Sequence, residues 1–236
     1  GVAGAIELAR LVRADADSGG EPGDLETGVL EKAPSLGEHC LSGAVINPSP
    51  FRELFPEMAP DSYPFRGAVA GERVLMLTRN GQRRLPTPPP MRNHGNHVAS
   101  LCEVVAWLGE RAEELGVNVF TGFPADALLM DGATVTGVRT TPTGLDRDGN
   151  PGSGFMPATD LTARVTVLAE GCRGPLTAAW LQESGIGSEN PQIYALGVKE
   201  LWEVPDPPGE VIHTLGWPLP SDAFGGTWIY PMGEGL

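Results

Sequence analysis

The stretch GVAGAIELA, residues 1–9, indicates the fold of this chain, because it sets a G-x-x-G turn directly before a helical apolar pattern. Glycines at such a turn let the backbone approach the pyrophosphate of a dinucleotide, which then rests on the N-terminus of the helix. In that fold a buried strand and a further glycine come immediately before the turn. Neither stands before Gly1, so we expect the chain to be a fragment that begins within the motif.

The next segment supplies the second half of a dinucleotide-binding pattern. A polar, glycine-rich loop over residues 15–24 leads to a short predicted strand, Thr27 to Leu30, which ends at Glu31. A carboxylate at the tip of this strand accepts hydrogen bonds from a ribose 2′-hydroxyl and repels a 2′-phosphate. The pattern therefore favours an adenosine of the NAD or FAD type over that of NADP.

A helix followed by a strand predicts part of a parallel α/β sheet. From Asn93 to Leu115 apolar residues recur at three- and four-residue steps, which predicts a helix that ends at Gly116. Residues 117–120 predict the strand after it. This alternation is typical of a parallel sheet covered by helices.

The second half of the chain is predicted to add an antiparallel layer. Residues 126–140 predict a hairpin around Asp131-Gly132, and residues 141–159, rich in Gly, Pro and Asp, predict a long exposed loop. The apolar run from Val165 to Ala169 predicts a buried strand. A helix is expected from Leu176 to Leu181.

Composition limits the class of protein. The chain has 236 residues, of which 30 are acidic and 16 are basic, so its net charge of -14 repels phosphate backbones and excludes nucleic acid as a partner. The sequence holds no apolar run of the roughly 18 residues that a membrane-spanning helix needs. Its three cysteines are widely spaced, so each is expected to be a small buried apolar group.

A cationic hairpin is predicted within this acidic chain. Asn80-Gly81 is a hairpin turn between the arms 74–77 and 82–85, and prolines follow. The arginines between residues 77 and 92, a range without an acid, are Arg79, Arg83, Arg84 and Arg92. Arginines beside an apolar edge suit anionic lipid headgroups, at about 1 kcal/mol each. The alternative is a solvated hairpin that leads into a polyproline linker.

Seven short motifs occur in an order that resembles one protein family. They are GVAG (1–4), VLEK (29–32), GEHCLSGA (37–44), NHGN (93–96), AEGC (169–172), GVKELW (197–202) and GWPL (216–219). Each motif alone is weak, but the ordered set is specific. It is similar to the electron transfer flavoprotein:ubiquinone oxidoreductase family, and the likeness covers essentially the whole chain as the N-terminal part of a member.

The resemblance implies an α/β fold in which a glutathione-reductase-type, Rossmann-like FAD-binding domain is interleaved with a β-rich quinone-binding domain. The implied segments are 1–47 and 93–190 for FAD, 48–92 for a membrane-proximal insertion with the hairpin, and 191–236 for the start of the quinone domain. A [4Fe-4S] cluster is implied in a missing C-terminal part, because such a cluster needs four cysteine ligands.

The resemblance also implies the site residues, with no catalytic side chain and no metal ligand among them. The FAD-binding residues are Gly1, Gly4, Glu31, Lys32, Leu41, Ser42, Gly43, Glu170 and Gly171. The quinone-binding residues are Gly225 and Gly226, for which a simple strand bend is the alternative. The membrane-contact residues are Leu75, Leu77, Arg79, Arg83 and Arg84.

The implied activity passes electrons from reduced electron transfer flavoprotein, through FAD, to ubiquinone. The implied location is peripheral, on the bacterial cytoplasmic or the mitochondrial inner membrane, and the isolated fragment is expected to be inactive. Two alternatives stay open at this point. One is a geranylgeranyl-reductase-like or hydroxylase-like FAD enzyme, and the other is a redox-silent truncated scaffold.

Overall fold

Two or more short strands lie between successive α-helices of the chain. The computed structural model describes residues 1–40 and 43–233. The α-helices there are α1 (Val2–Asp17), α2 (Ser49–Leu54), α3 (Leu101–Glu114) and α4 (Pro175–Glu183). The strands are β1 (Gly28–Glu31), β2 (Ala44–Ile46), β3 (Gly67–Ala68), β4 (Glu72–Thr78), β5 (Gly81–Leu85), β6 (His97–Ala99), β7 (Asn118–Thr121), β8 (Ala125–Asp131), β9 (Thr134–Thr140), β10 (Thr143–Leu145), β11 (Pro151–Met156), β12 (Asp160–Thr162), β13 (Val211–Gly216) and β14 (Gly226–Ile229).

The chain forms two compact units, each assembled from two separate segments. The first unit comprises residues 1–39 and 108–197, and the second comprises residues 40–107 and 198–236. The segment boundaries predicted for the two interleaved domains differ from the boundaries of these two units. The assignment of FAD and quinone roles to residue ranges stays a prediction.

A parallel strand pair lies in the first unit. β1 pairs with β7, so that Val29 is opposite Val119 and Leu30 is opposite Phe120. The predicted strand before Glu31 and the strand after Gly116 are therefore confirmed. α1 contacts β1 and buries Ile6 completely. The predicted loop from Asp15 begins later than expected, because α1 runs on to Asp17.

The predicted helix from Asn93 begins too early. Residues 97–99 form β6, in which Val98 is opposite Val45 of β2, and the helix starts only after Ser100. Ser100 accepts the first helical hydrogen bond, from the Val104 N–H at 2.9 Å. Short apolar stretches fit both helical and strand periodicity, and here pairing with a distant strand determines the outcome.

An antiparallel sheet of the order β12-β9-β8 also belongs to the first unit. The hairpin around Asp131-Gly132 is confirmed, with Asp131 opposite Thr134. The predicted loop 141–159 is instead mostly a second hairpin of β10 and β11. Its turn is tied by the Asp146 carboxylate, which accepts from the Asn150 N–H at 2.8 Å.

The predicted buried strand from Val165 to Ala169 is wrong. These residues form no regular strand, and Val165 and Val167 are 78% and 79% exposed. Only one side of the segment is covered, where Thr166 and Leu168 line a cavity against Trp180 of α4. An apolar run becomes a buried strand only when both of its faces are packed. The helix predicted after it is confirmed as α4.

The second unit contains a sheet of the order β14-β13-β4-β5 and a sheet of the order β2-β6-β3. β4 and β13 are parallel, whereas β4 and β5 form the predicted hairpin, with Thr78 opposite Gly81. The core cluster of this unit consists of Val98, Val211 and Met232, packed by Val45, Val69 and Tyr230. The same unit contains a group of packed aromatic rings, in edge-to-face and tilted pairs: Phe51, Phe55, Tyr63, Phe65 and Trp107.

Candidate functional site

The N-terminus of α1 is open at one of its two glycines. Outside the backbone of α1 itself, a Cβ added at Gly4 would meet no heavy atom of the described residues within 4 Å, so packing among them does not require a glycine there. Gly1 differs, since an added Cβ would lie 3.2 Å from Ala169 Cβ. The segment that carries Glu170 and Gly171 is thereby brought beside the start of α1. The open side at Gly4 leaves room for an anionic group near the backbone N–H groups of the first turn.

Glu31 ends β1 with its carboxylate already oriented. The Ala33 N–H donates to Glu31 Oε1 at 2.7 Å, and the Glu31 carbonyl accepts from the Phe123 N–H at 3.0 Å. These bonds fix the strand end and use one of the two carboxylate oxygens. Lys32 follows at once and is exposed. The arrangement fits a half-buried acceptor for a hydroxyl group at the tip of β1.

Glu170 has a local role that the sequence pattern did not reveal. Its carboxylate accepts from the Thr177 N–H and the Thr177 hydroxyl, each at 2.7 Å, and from the Leu176 N–H at 3.2 Å. These groups belong to the first turn of α4, so Glu170 caps that helix from outside. An added Cβ at the buried Gly174 would overlap the Glu170 carboxylate, which explains the glycine. The predicted flavin contact of Glu170 and Gly171 stays a prediction.

The capping bonds change the protonation of Glu170. Desolvation raises the pKa of this carboxyl. The hydrogen bonds from Thr177 and Leu176 together lower the pKa by more than desolvation raises it, so the pKa lies below its ordinary value. Because the pKa of Glu170 is lower in the folded than in the unfolded chain, this carboxylate stabilises the fold at pH values above the unfolded-state pKa. This contribution is lost as the pH falls through the pKa of the folded state.

Replacing Glu170 by alanine is therefore expected to lower the free energy of unfolding at pH 7 by on the order of 1 kcal/mol, the usual cost of a lost helix cap. Thermal unfolding monitored by circular dichroism between pH 7 and pH 3 is the measurement. Glu170→Gln is the control, because its amide oxygen still accepts hydrogen bonds but does not titrate. A pH dependence of stability that is the same in wild type and in Glu170→Gln would contradict the assignment.

The flavin segment implied by the family resemblance is described only in part. Leu41 and Ser42 lie outside the described residues. Gly43 has a left-handed φ of 77°, and its carbonyl accepts a hydrogen bond from Lys199 Nζ. A Cβ added at Gly43 would lie 3.4 Å from the ring of Tyr230. Lys199 thus holds the chain directly before β2, a contact that spacing along the sequence cannot reveal.

The glycine pair assigned to quinone lies at the start of β14. Gly226 is opposite Leu215 of β13, and an added Cβ would overlap the carbonyl oxygen of Thr214. A Cβ at Gly225 would lie 3.1 Å from a methyl carbon of Leu219. Close packing of the two strands is thus a sufficient reason for the glycine at position 226. The quinone contact of both residues stays a prediction.

The hairpin of β4 and β5 presents its arginines to solvent but hides one of the predicted apolar contacts. Arg79, Arg83 and Arg84 are exposed, and we call them the hairpin arginines. Leu75 is only 8% exposed and pairs with Thr214 as well as Arg84, so it is removed from the predicted membrane surface. Leu77, nearer the turn, is half-buried. Within residues 1–40 and 43–233, helices long and apolar enough to cross a bilayer do not occur.

One family model matches the C-terminal part of the chain. Residues 194–236 match the model described as "ETF-QO, ubiquinone-binding". This range contains β13, β14, Lys199 and the glycine pair. The match therefore covers the strands that carry the predicted quinone contact, without testing the individual residues.

Comparisons of the whole chain give the same family. The chain is 43% identical over 243 residues to the mitochondrial electron transfer flavoprotein-ubiquinone oxidoreductase of Oryza sativa subsp. japonica, which covers 99% of the chain. The Homo sapiens protein of the same name is 38% identical over 219 residues, or 90% of the chain. The chain spans 40% and 36% of the lengths of these two curated relatives.

A solved structure supports the fold class. A geranylgeranyl bacteriochlorophyll reductase-like protein from Thermoplasma acidophilum aligns with 100% of this chain and 52% of its own, with a TM-score of 0.59 and 20% identity. At this identity the likeness extends to the fold alone, which is mixed α/β. The relatives of higher identity decide the family: the chain belongs to the electron transfer flavoprotein-ubiquinone oxidoreductases.

Proposed function

We propose that this chain is the FAD-binding part of an oxidoreductase that passes electrons from reduced electron transfer flavoprotein to ubiquinone. The observation that carries the proposal is the open helix N-terminus at Gly4, where the space that a side chain would occupy is left free. A glycine that packing does not require is expected where a ligand approaches the backbone. The proposal includes the finer fold class, a glutathione-reductase-type FAD domain.

The residues of the first unit fit the adenosine diphosphate half of FAD. The N–H groups of α1 would bind the pyrophosphate beside Gly1 and Gly4, and Glu31 would accept from the ribose hydroxyls. Its carboxylate, held by the Ala33 N–H, needs little reorganisation to do so. The further FAD contacts that we propose are Lys32, Leu41, Ser42, Gly43, Glu170 and Gly171. When bound, FAD supplies the electron-transfer chemistry.

Ubiquinone is the proposed electron acceptor and electron transfer flavoprotein the proposed donor. The names of the relatives supply both partners, and the family model over residues 194–236 is described as ubiquinone-binding. We place the quinone contact at Gly225 and Gly226. Electron transfer of this kind requires positioned redox groups rather than a nucleophile or an acid-base pair. A [4Fe-4S] cluster outside this chain belongs to the same proposal.

The proposed location is the surface of an inner membrane, mitochondrial or bacterial, with the protein bound peripherally. The relatives are named as mitochondrial proteins. The hairpin arginines supply the contact with anionic lipid, because exposed cations within a chain of net charge -14 are suited to bind a negatively charged surface. Ubiquinone is a membrane-soluble substrate, so this location also gives the enzyme access to it.

Binding of FAD by the chain tests the proposal. We expect Glu31→Ala to weaken FAD binding about tenfold, since it removes hydrogen bonds from a charged acceptor to the ribose. Quenching of flavin fluorescence during titration gives the affinity, and thermal unfolding gives the stability of the variant. Glu26→Ala, which removes an exposed acid just before β1, is the matched control and should bind FAD as wild type does.

Three outcomes would count against the proposal in different ways. A wild-type chain that binds no FAD would favour a redox-silent scaffold. Equal affinity of wild type and Glu31→Ala would remove Glu31 from the site. Reduction of a flavin-loaded protein by NAD(P)H rather than by electron transfer flavoprotein would instead indicate a reductase or hydroxylase.

A further inference from the structure

Two cysteines that the proposed function does not use lie side by side in the second unit. Cys40 is the first residue of that unit, and Cys102 is the second residue of α3. They are 62 positions apart, yet the Cys102 thiol donates to the Cys40 carbonyl oxygen, with Sγ at 2.9 Å from it. The prediction that each thiol is a small buried apolar group is wrong, because Cys40 and Cys102 are half-buried and Cys172 is exposed.

The contact brings the two residues near the geometry of a disulfide. The Cys102 Sγ and the Cys40 carbonyl oxygen are each two bonds from the Cα atom of their own residue. Ordinary bond lengths therefore keep the two Cα atoms within roughly 8 Å of each other. Disulfides span Cα separations of about 4.4 to 6.8 Å. A disulfide between them forms when the side chains rotate toward each other and the two Cα atoms come within that span.

Cys102 lies in the first turn of α3, and both cysteines remain accessible from solvent. The neighbouring Glu103 carboxylate is paired with Arg66, with Arg66 Nε at 3.0 Å. Both cysteines are half-buried, so a small reagent can reach them while a large one is restricted.

We propose that Cys40 and Cys102 form a dithiol site that hydrogen peroxide oxidises to a disulfide. The Cys102 thiolate attacks one peroxide oxygen, the O–O bond breaks, and a sulfenic acid and hydroxide form; hydroxide takes a proton to become water. The Cys40 sulfur then attacks the sulfenic sulfur, so that the S–S bond forms and a second water leaves. In balance, two thiols and one peroxide give one disulfide and two waters.

The disulfide would tie the chain before β2 to the N-terminus of α3. Cys40 immediately precedes Leu41, Ser42 and Gly43, so the cross-link fixes one end of the segment that the proposed function assigns to the flavin. The site itself does not depend on that function, because the oxidation needs neither flavin nor quinone. A bond that closes a loop of this length restricts the unfolded chain and raises the unfolding temperature.

Oxidation of the Cys172→Ser chain by hydrogen peroxide tests the proposal, since this background removes the exposed third cysteine. We expect both thiols to disappear from a thiol titration without the formation of links between chains. Mass spectrometry of a non-reducing digest should find the Cys40 and Cys102 peptides joined and lighter by two hydrogen atoms. Dithiothreitol should restore both thiols, and the oxidised chain should unfold at a higher temperature.

Single serine variants at position 40 or 102, in the same background, are the controls. Each should give a sulfenic or sulfinic acid, detected as added oxygen, and no gain in unfolding temperature. Added oxygen on both cysteines of the unsubstituted pair, or links only between chains, would overturn the proposal. If a serine variant fails to fold by circular dichroism, the same peptide link sought in the wild-type chain decides the question.

Discussion

Replacing all three hairpin arginines by serine is expected to lower the affinity of the chain for anionic vesicles by about 100-fold. Each arginine near an anionic surface contributes about 1 kcal/mol, and about 1.4 kcal/mol corresponds to a factor of ten. Arg83 and Arg84 lie on β5 and Arg79 lies in the turn before it, so all three belong to one exposed hairpin. Co-sedimentation with phosphatidylserine-containing vesicles at low salt measures the effect.

A matched variant tests whether position, rather than charge alone, determines binding. Serine at Arg13, Arg147 and Arg164 removes three exposed cations from the first unit and leaves the hairpin intact. This control should bind vesicles far better than the hairpin variant, and both should bind neutral vesicles weakly. Screening at high salt should remove most of the difference. Equal losses in the two triple variants would show that the hairpin is not the contact.

Replacing Gly226 by alanine is expected to destabilise the second unit by about 3 kcal/mol or more. The added Cβ would overlap the Thr214 carbonyl oxygen, and backbone atoms can give way only if β13 and β14 separate. For a chain of this length such a loss corresponds to a fall in unfolding temperature of roughly 6 °C or more. Differential scanning calorimetry measures it.

Gly225→Ala separates the structural and the quinone roles of this pair. Its Cβ would meet only the end of the Leu219 side chain, at 3.1 Å, and that side chain can move. We expect the stability to change by less than about 1 kcal/mol. If Gly226→Ala proves as stable as wild type, packing does not explain the glycine, and the proposed quinone contact becomes the better reason for it.

Sequence reasoning succeeded where the signal is local. The hairpins predicted around Asn80-Gly81 and Asp131-Gly132 form, with their turns at residues 79–80 and 132–133. Such turns depend on a few neighbouring residues with a defined backbone preference. β1 and its terminal Glu31 followed from a short pattern bounded by polar residues. Such features do not depend on what packs against them later.

It failed where a distant segment decides the conformation. Val98 became part of a strand because β2 and β3 pair with it, and Val165 stayed exposed because only the other side of its segment is packed. The candidate site shows the same division. Glu31 was recognisable from its place in the pattern, whereas the contact of Lys199 with Gly43 joins residues 156 positions apart.

The two-segment construction of each unit constrains the order of events during synthesis. β1 cannot pair with β7 until residue 118 has been made, and the edge of β4 that does not pair with β5 must wait for residue 211. The early parts of both units therefore emerge with unsatisfied strand edges and remain so for about a hundred residues of translation or more. Such unpaired edges can pair with other chains, so the unfinished protein is open to aggregation over this interval.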